Sequence, residues 1–166
     1  MVGMALSIRR PAALLFLGSG LLLAGALGFQ YLGGLAPCPL CIDQRVAHGV
    51  VLALAAVAAV AGDRSPALAG TAAVAALVAL ASGAAVAGYH VGLEQDLWQG
   101  PASCAAEPVR AATSKEWLEE MLKRTTVVRC DEVAWSLFGI SMAGYNMLIS
   151  LGLVAVTGRM LSGAVR

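Results

Sequence analysis

Four stretches of this chain carry no charged side chain: Pro11–Pro37, Val46–Gly62, Ser65–Leu93 and Val133–Gly158. A bilayer core about 30 Å thick is crossed by about 20 helical residues, and a helix satisfies its own backbone hydrogen bonds where no water reaches. The runs predict an all-α fold, a polytopic membrane four-helix bundle occupying residues 1–166 as a single domain, with spans at 12–34, 41–61, 67–90 and 135–157. The second run is the shortest, so its helix is extended back to Cys41. That extension places Asp43 and Arg45 in the interfacial layer, where ionic groups cost less than at the midplane. Ala, Val, Leu and Gly dominate spans two and three, a composition that lets helix backbones approach closely where lipid gives no hydrophobic drive for association. The chain is 59% apolar and 13% charged, against about 25% charged in an ordinary soluble domain. Its net charge of +1 leaves no surplus for holding nucleic acid.

Gly62-Asp63-Arg64-Ser65-Pro66 makes a tight connection between spans two and three, with the proline near the start of the next helix. Spans three and four are separated by residues 91–134, the one sizeable aqueous segment, which holds eight of the ten acidic side chains between Glu94 and Glu132. Within it, Thr113-Ser114-Lys115-Glu116 reads as a capping box that opens a short helix through Arg124. Trp117, Leu118, Met121 and Leu122 share one face of that helix, which can lie on the membrane surface or pack on the tops of the spans. Arg9-Arg10 followed by an apolar run and Ala24-Gly25-Ala26 has features of a secretory signal, but the uninterrupted run is long for one. Lys and Arg divide almost evenly between the two sides, so the positive-inside rule alone does not orient the bundle.

The four cysteines do orient it. Cys38, Cys41, Cys104 and Cys130 all fall in or beside the two loops on one side of the four-span arrangement. An even number of cysteines on one aqueous face belongs to an oxidising compartment, where disulfides persist. Cys38-Pro39-Leu40-Cys41 is a C-x-x-C pair, too short a loop to stabilise much by restricting the unfolded chain, so its expected use is reactivity. Cys41 stands at the first turn of span two, where unpaired amides and the helix dipole favour a thiolate. Arg45 returns to the same helix face four residues later and His48 three after that. Cys104 and Cys130 could staple the long loop, a contribution of about 3 kcal/mol from chain entropy. Alternatively, two couples on one face can exchange through a mixed disulfide, and a couple at the membrane surface then needs a two-electron acceptor dissolved in lipid, for which a quinone is the natural candidate.

Cys38-Pro39-Leu40-Cys41-Ile42-Asp43-Gln44-Arg45 resembles the C-x-L-C-x-x-x-R signature of the bacterial disulfide bond formation protein B (DsbB) family. Tyr89-His90 at the end of span three, and Cys130-Asp131-Glu132-Val133-Ala134-Trp135-Ser136-Leu137-Phe138-Gly139 ahead of span four, are similar to its other landmarks, in the same order along the chain. The resemblance implies a protein-dithiol:quinone oxidoreductase of the bacterial inner membrane, with cytoplasmic termini and periplasmic cysteines. It would re-oxidise a DsbA-like thioredoxin-fold partner and pass electrons to ubiquinone or menaquinone. The implied roles are attack by the partner at Cys104, completion of the loop disulfide by Cys130, exchange with that pair at Cys38, and a quinone-facing thiolate at Cys41. Arg45 would stabilise that thiolate and charge developing on the ring. Gln44, which stands where some members carry an acid, would line the quinone pocket with His48 and His90.

Three other chemistries compete. The vitamin K epoxide reductase family resembles this architecture, but there the C-x-x-C follows the loop cysteines and here it precedes them. A haem-binding electron carrier with structural disulfides could use His48 and His90 as axial ligands. An all-thiolate zinc centre lacks the paired C-x-x-C spacing usual for such sites, so no metal site is expected.

Overall fold

The computed structural model describes residues 2–62, 64–104, 115 and 129–164. Four helices form the bundle: α1 (Val2–Tyr31), α2 (Pro39–Ala61), α3 (Pro66–Glu94) and α4 (Met142–Ala164). Each contains a segment long and apolar enough to cross a membrane, with mean hydropathy of 2.1, 1.6, 1.9 and 1.2 in chain order. The chain is a multi-pass membrane protein with the four-helix architecture expected from its uncharged runs. The short amphipathic helix expected at 113–124 lies outside the described residues.

Small side chains carry the packing over the half of the bundle remote from the cysteines. Ile8 and Ala12 of α1 meet Ala58 and Ala61 of α2 and Ala69, Ala72 and Ala73 of α3 in one buried cluster. Further along, Leu15, Val51, Ala55, Ala76 and Leu80 continue the seam. At Gly83 the α2 and α3 backbones approach so closely that an added Cβ would stand 2.9 Å from the Ala47 Cβ. Such contacts replace the hydrophobic drive that lipid removes.

Helix boundaries follow local chemistry. α1 stops at Tyr31 rather than 34, because Gly34 takes φ +68° and the amides of Leu32 and Gly33 fold back onto the Gly28 carbonyl, a left-handed helix exit suited to glycine. α3 runs past 90 to Glu94. The largest departure is at the fourth span, expected to begin at 135. A two-residue hairpin precedes it instead, β1 (Ser136–Leu137) pairing antiparallel with β2 (Ile140–Ser141). Phe138 and Gly139 form its tip with φ of +51° and +78°, the doubly left-handed turn that matches strand twist. The Ser141 hydroxyl then accepts from the Gly144 amide at 3.1 Å, a side-chain cap on the helix start. Hydropathy runs unbroken through this hairpin, so the uncharged run began before the helix did.

Candidate functional site

The site assembles at the end of the bundle where α2 begins and α3 finishes. Pro39 disfavours helical backbone at the residue before it and suits the first helical position, so Cys38 is extended (φ −77°, ψ 166°) and caps α2. Its sulfur accepts from the Cys41 amide at 3.2 Å and lies 2.7 Å from the Cys41 sulfur. Both are free thiols. Burial and the hydrogen bond to Cys41 push the Cys38 thiol up from its ordinary value, the hydrogen bond being the larger cause.

Cys104 and Cys130 are joined in a disulfide. The chain leaving α3 folds back to present Cys104. Trp98 donates to the Tyr89 carbonyl at 3.1 Å, stacks on the Tyr89 ring at 5.6 Å between centroids, and lies across Gly92, where any Cβ would collide with the indole. A single 3-10 turn, Ala102–Cys104, follows. The result is one buried cluster that holds Cys38, Cys104 and Cys130 with Leu40 and Leu93, and Cys41 at its margin. The two cysteine pairs expected on one face are therefore packed against each other.

His90 is the residue between them. Its Nε2 lies 3.7 Å from the Cys38 sulfur and 3.1 Å from the Cys130 carbonyl oxygen. That oxygen can only accept, so in the neutral ring Nε2 carries the hydrogen and Nδ1 is bare. This assignment propagates. Gln44 Nε2 donates to Nδ1 at 3.1 Å, Asn146 Nδ2 donates to Gln44 Oε1 at 2.6 Å, and His48 Nε2 donates to Asn146 Oδ1 at 2.8 Å. Ser150 adds a second donor to Asn146 at 3.2 Å. One backbone carbonyl thus fixes the direction of a polar chain across α2, α3 and α4. The chain ends at His48 Nδ1, which is buried with no partner among the described residues. The imidazoles of His48 and His90 are engaged through intervening amides, an arrangement at odds with two axial ligands facing one haem.

Arg45, expected beside Cys41, reaches α1 as well. Its guanidinium donates to the Gln30 side-chain oxygen and to the Ala26 carbonyl at 3.2 Å. Arg45 and Cys41 both line a cavity of about 350 Å³, within the range of small-molecule sites. Leu22, Phe29, Trp135 and Ile149 supply apolar walls, and Gln44, His48, His90 and Asn146 supply polar ones. Phe29 and Trp135 pack ring to ring at 4.9 Å. Of the residues named from the sequence, Cys38, Cys41, Gln44, Arg45, His48 and His90 thus meet around one cavity, and Cys104 and Cys130 pack beside it without lining it. Two contributors were missed there. Asn146, the junction of the polar chain, is the chain's sole asparagine and lies within an apolar run, a signal in its own right. Glu94 lines the same cavity and accepts from the Ser141 hydroxyl.

A sequence model described as disulfide bond formation protein DsbB matches residues 8–160. The chain belongs to the DsbB family. Curated disulfide bond formation proteins B from Stutzerimonas stutzeri (35% identical, covering 85% of this chain and 86% of the relative) and Methylococcus capsulatus (39%, covering 84% and 85%) are similar to it. So is that of Chromohalobacter salexigens, at 34% over 96% of this chain and 94% of the relative. No solved structure matches the chain. DsbB membership, with four helices long and apolar enough to cross a membrane, makes this a membrane protein of disulfide formation.

Proposed function

We propose that the chain is a protein-dithiol:quinone oxidoreductase. It takes two electrons from a DsbA-like thioredoxin-fold dithiol in the periplasm and delivers them to ubiquinone or menaquinone in the inner membrane. The observation that carries this reading is the packing of both couples into one cluster, with only the Cys38–Cys41 pair also lining the apolar cavity. Shared placement at one end of the bundle supports periplasmic cysteines and cytoplasmic termini in a single four-span domain.

The thiol steps balance. A partner thiolate attacks Cys104, and the partner's second thiol resolves the mixed disulfide, leaving an oxidised partner and a Cys104/Cys130 dithiol. Cys130 then attacks Cys38 of a Cys38–Cys41 disulfide, with Cys41 as leaving thiolate. Leaving is faster for a stabilised thiolate, and Cys41 stands in the first turn of α2, where free amides favour negative charge. Cys104 completes this second exchange and restores the loop disulfide. Closing Cys38–Cys41 again releases two electrons and two protons. A bound quinone supplies the acceptor for both. The lining suits such a ring, since the walls are largely apolar, Trp135 and Phe29 offer aromatic faces, and Arg45, Gln44, His48 and His90 provide polar groups for ring oxygens.

Mixing purified protein with a reduced thioredoxin-fold partner and a soluble quinone, and following quinone absorbance together with thiol loss, tests the proposal. One quinone reduced per partner disulfide formed is expected. Thiol loss with no quinone reduction removes the quinone from the scheme.

A further inference from the structure

The Sγ atoms of Cys38 and Cys41 and a ring nitrogen of His90 lie within 4.8 Å of one another. We propose that the reduced Cys38–Cys41 pair and His90 form a three-ligand site for a thiophilic divalent cation of the Zn²⁺ class, which holds the pair reduced. Tetrahedral zinc, with Zn–S of about 2.3 Å and Zn–N of about 2.0 Å, sets an S···N edge of about 3.5 Å and an S···S edge of about 3.8 Å. The Cys38 sulfur and His90 Nε2 are 3.7 Å apart, so that edge is already formed. The two sulfurs, at 2.7 Å, must spread by about 1 Å, which rotation of the partly exposed Cys41 side chain allows. Cys38, Cys41 and His90 all line the cavity, whose charged lining balances Glu94 and Glu132 against Arg45 and Arg129, so the two sulfurs and the ring nitrogen, and not the surrounding field, must supply the affinity.

The surroundings complete the site. A ligating imidazole characteristically donates its other N–H to a carbonyl or carboxylate, and the Gln44 amide stands at His90 Nδ1, 3.1 Å away. Metal at Nε2 gives up the hydrogen bond to the Cys130 carbonyl and moves the ring hydrogen to Nδ1, and Gln44 turns its oxygen toward it. Asn146 then turns as well, reversing the polar chain as far as His48. The Cys41 amide already donates to the Cys38 sulfur, a bond that strengthens when the sulfur becomes a thiolate. Binding exchanges two thiol protons for one cation, with no change of oxidation state. Its consequence for turnover rests on the proposed function; the binding itself does not.

The test uses the full-length Cys104→Ala/Cys130→Ala chain in detergent, reduced and without oxygen, titrated with Co²⁺ as a spectroscopic probe and then with Zn²⁺. The expected result is one cobalt per chain with a thiolate-to-cobalt charge-transfer band and tetrahedral d–d bands, both lost on adding zinc. X-ray absorption of the zinc form should show two sulfurs at about 2.3 Å and a nitrogen at about 2.0 Å. Gln44→Leu should weaken cobalt binding about tenfold, and His90→Phe by more. Absence of the charge-transfer band overturns the site, as does an unchanged cobalt affinity in both variants. In the native chain, zinc that binds with this signature yet leaves quinone-coupled turnover untouched breaks only the link to the redox reaction.

Discussion

The two ends of the bundle are held together by different physics. Away from the cysteines, Ala12, Ala58, Ala61, Ala69, Ala72 and Ala73 pack with Ile8 in a cluster of small apolar side chains. At the other end, a disulfide, a polar chain through His90, Gln44, Asn146 and His48, and the Arg45 contacts to α1 join the helices across a cavity. Close backbone contact fills space, whereas hydrogen bonds reach across it. A membrane protein that needs a binding site between its helices therefore gives up small-residue packing there and replaces it with polar links. Changes at the packed end should register in stability, and changes at the open end in chemistry.

The sharpest test of that division lies in the cysteines. Cys41→Ser and Cys104→Ser should each reduce quinone-dependent dithiol oxidation below detection, since either interrupts a relay of two couples. Their stabilities should differ, because Cys104→Ser also opens the loop crosslink, worth about 3 kcal/mol in chain-entropy terms, while Cys41 is a free thiol. Thermal melts beside activity assays separate the two effects. Turnover by either variant would sink the relay.

Arg45→Ala comes next. Loss of a charged donor to the negative charge that develops in the cavity, about 1.5–3 kcal/mol, corresponds to about a 10- to 160-fold slower passage of electrons out of the Cys38–Cys41 pair. Exchange between partner and loop should stay within about twofold of native, since neither of its bonds to α1 touches that couple. Stopped-flow measurement of the two steps decides it, and equal loss in both would make Arg45 a brace between α1 and α2 and nothing more.

At the packed end, Ala73→Leu inserts a branched side chain where the native one has no exposure. Overpacking of this kind costs about 1–3 kcal/mol, visible as a lower melting temperature in detergent. Turnover per folded molecule should remain native. A changed rate at permissive temperature would show that the ends are mechanically coupled and the division false.

These contrasts also explain what the sequence could disclose. The spans were legible because charge is excluded from the bilayer core whatever the tertiary packing, and the closeness of Cys38 and Cys41 was legible because three positions separate them. The start of α4 was not. Ser136 to Ser141 are as uncharged as the helix that follows, and only the left-handed backbone at Phe138 and Gly139 separates hairpin from helix. Likewise, Arg45 and His48 could be read from their spacing after Cys41 as one polar stripe, and Gln44 was named only through the family resemblance. The junction of Gln44 with His48 through Asn146, about a hundred positions away in the chain, depends on where α4 lies beside α2. His90 was assigned to the cavity alone, and its position between Cys38 and the Cys130 carbonyl follows from the loop's return path over Gly92, which no local pattern reports.

Asn146→Leu probes that junction with a smaller effect. Interhelical hydrogen bonds in membranes average about 0.6 kcal/mol and reach about 1.7, so the melting temperature should fall only slightly. The Gln44 amide, held by Asn146, reinforces the tautomer of His90 that the Cys130 carbonyl selects, and that is where the variant should be read. Nitrogen-15 chemical shifts of the His90 ring should move toward a tautomer mixture. An unchanged ring signal would show that the Cys130 carbonyl sets the tautomer without help from the amides.

The smallest effect is expected outside the membrane, at the ion pair beside the loop disulfide. Arg129 donates through Nε to Asp131 at 2.9 Å and stands 3.5 Å from Glu132. The hydrogen bond from Arg129 is the largest cause holding the Asp131 carboxyl below its ordinary value. A carboxylate lowered in the folded state contributes stability that is fully present above its unfolded value, near pH 4, and is lost as pH falls through the folded one. Both partners are solvent-exposed, however, and exposed pairs are screened and costly in side-chain entropy. Asp131→Asn should leave the melting temperature unchanged at neutral pH, and remove only a shallow part of the acid-side decline. Adjacent Cys130 is fully buried, so a large loss of stability at neutral pH would mean that Asp131 helps seat the disulfide, and would extend the reactive end of the molecule beyond the membrane surface.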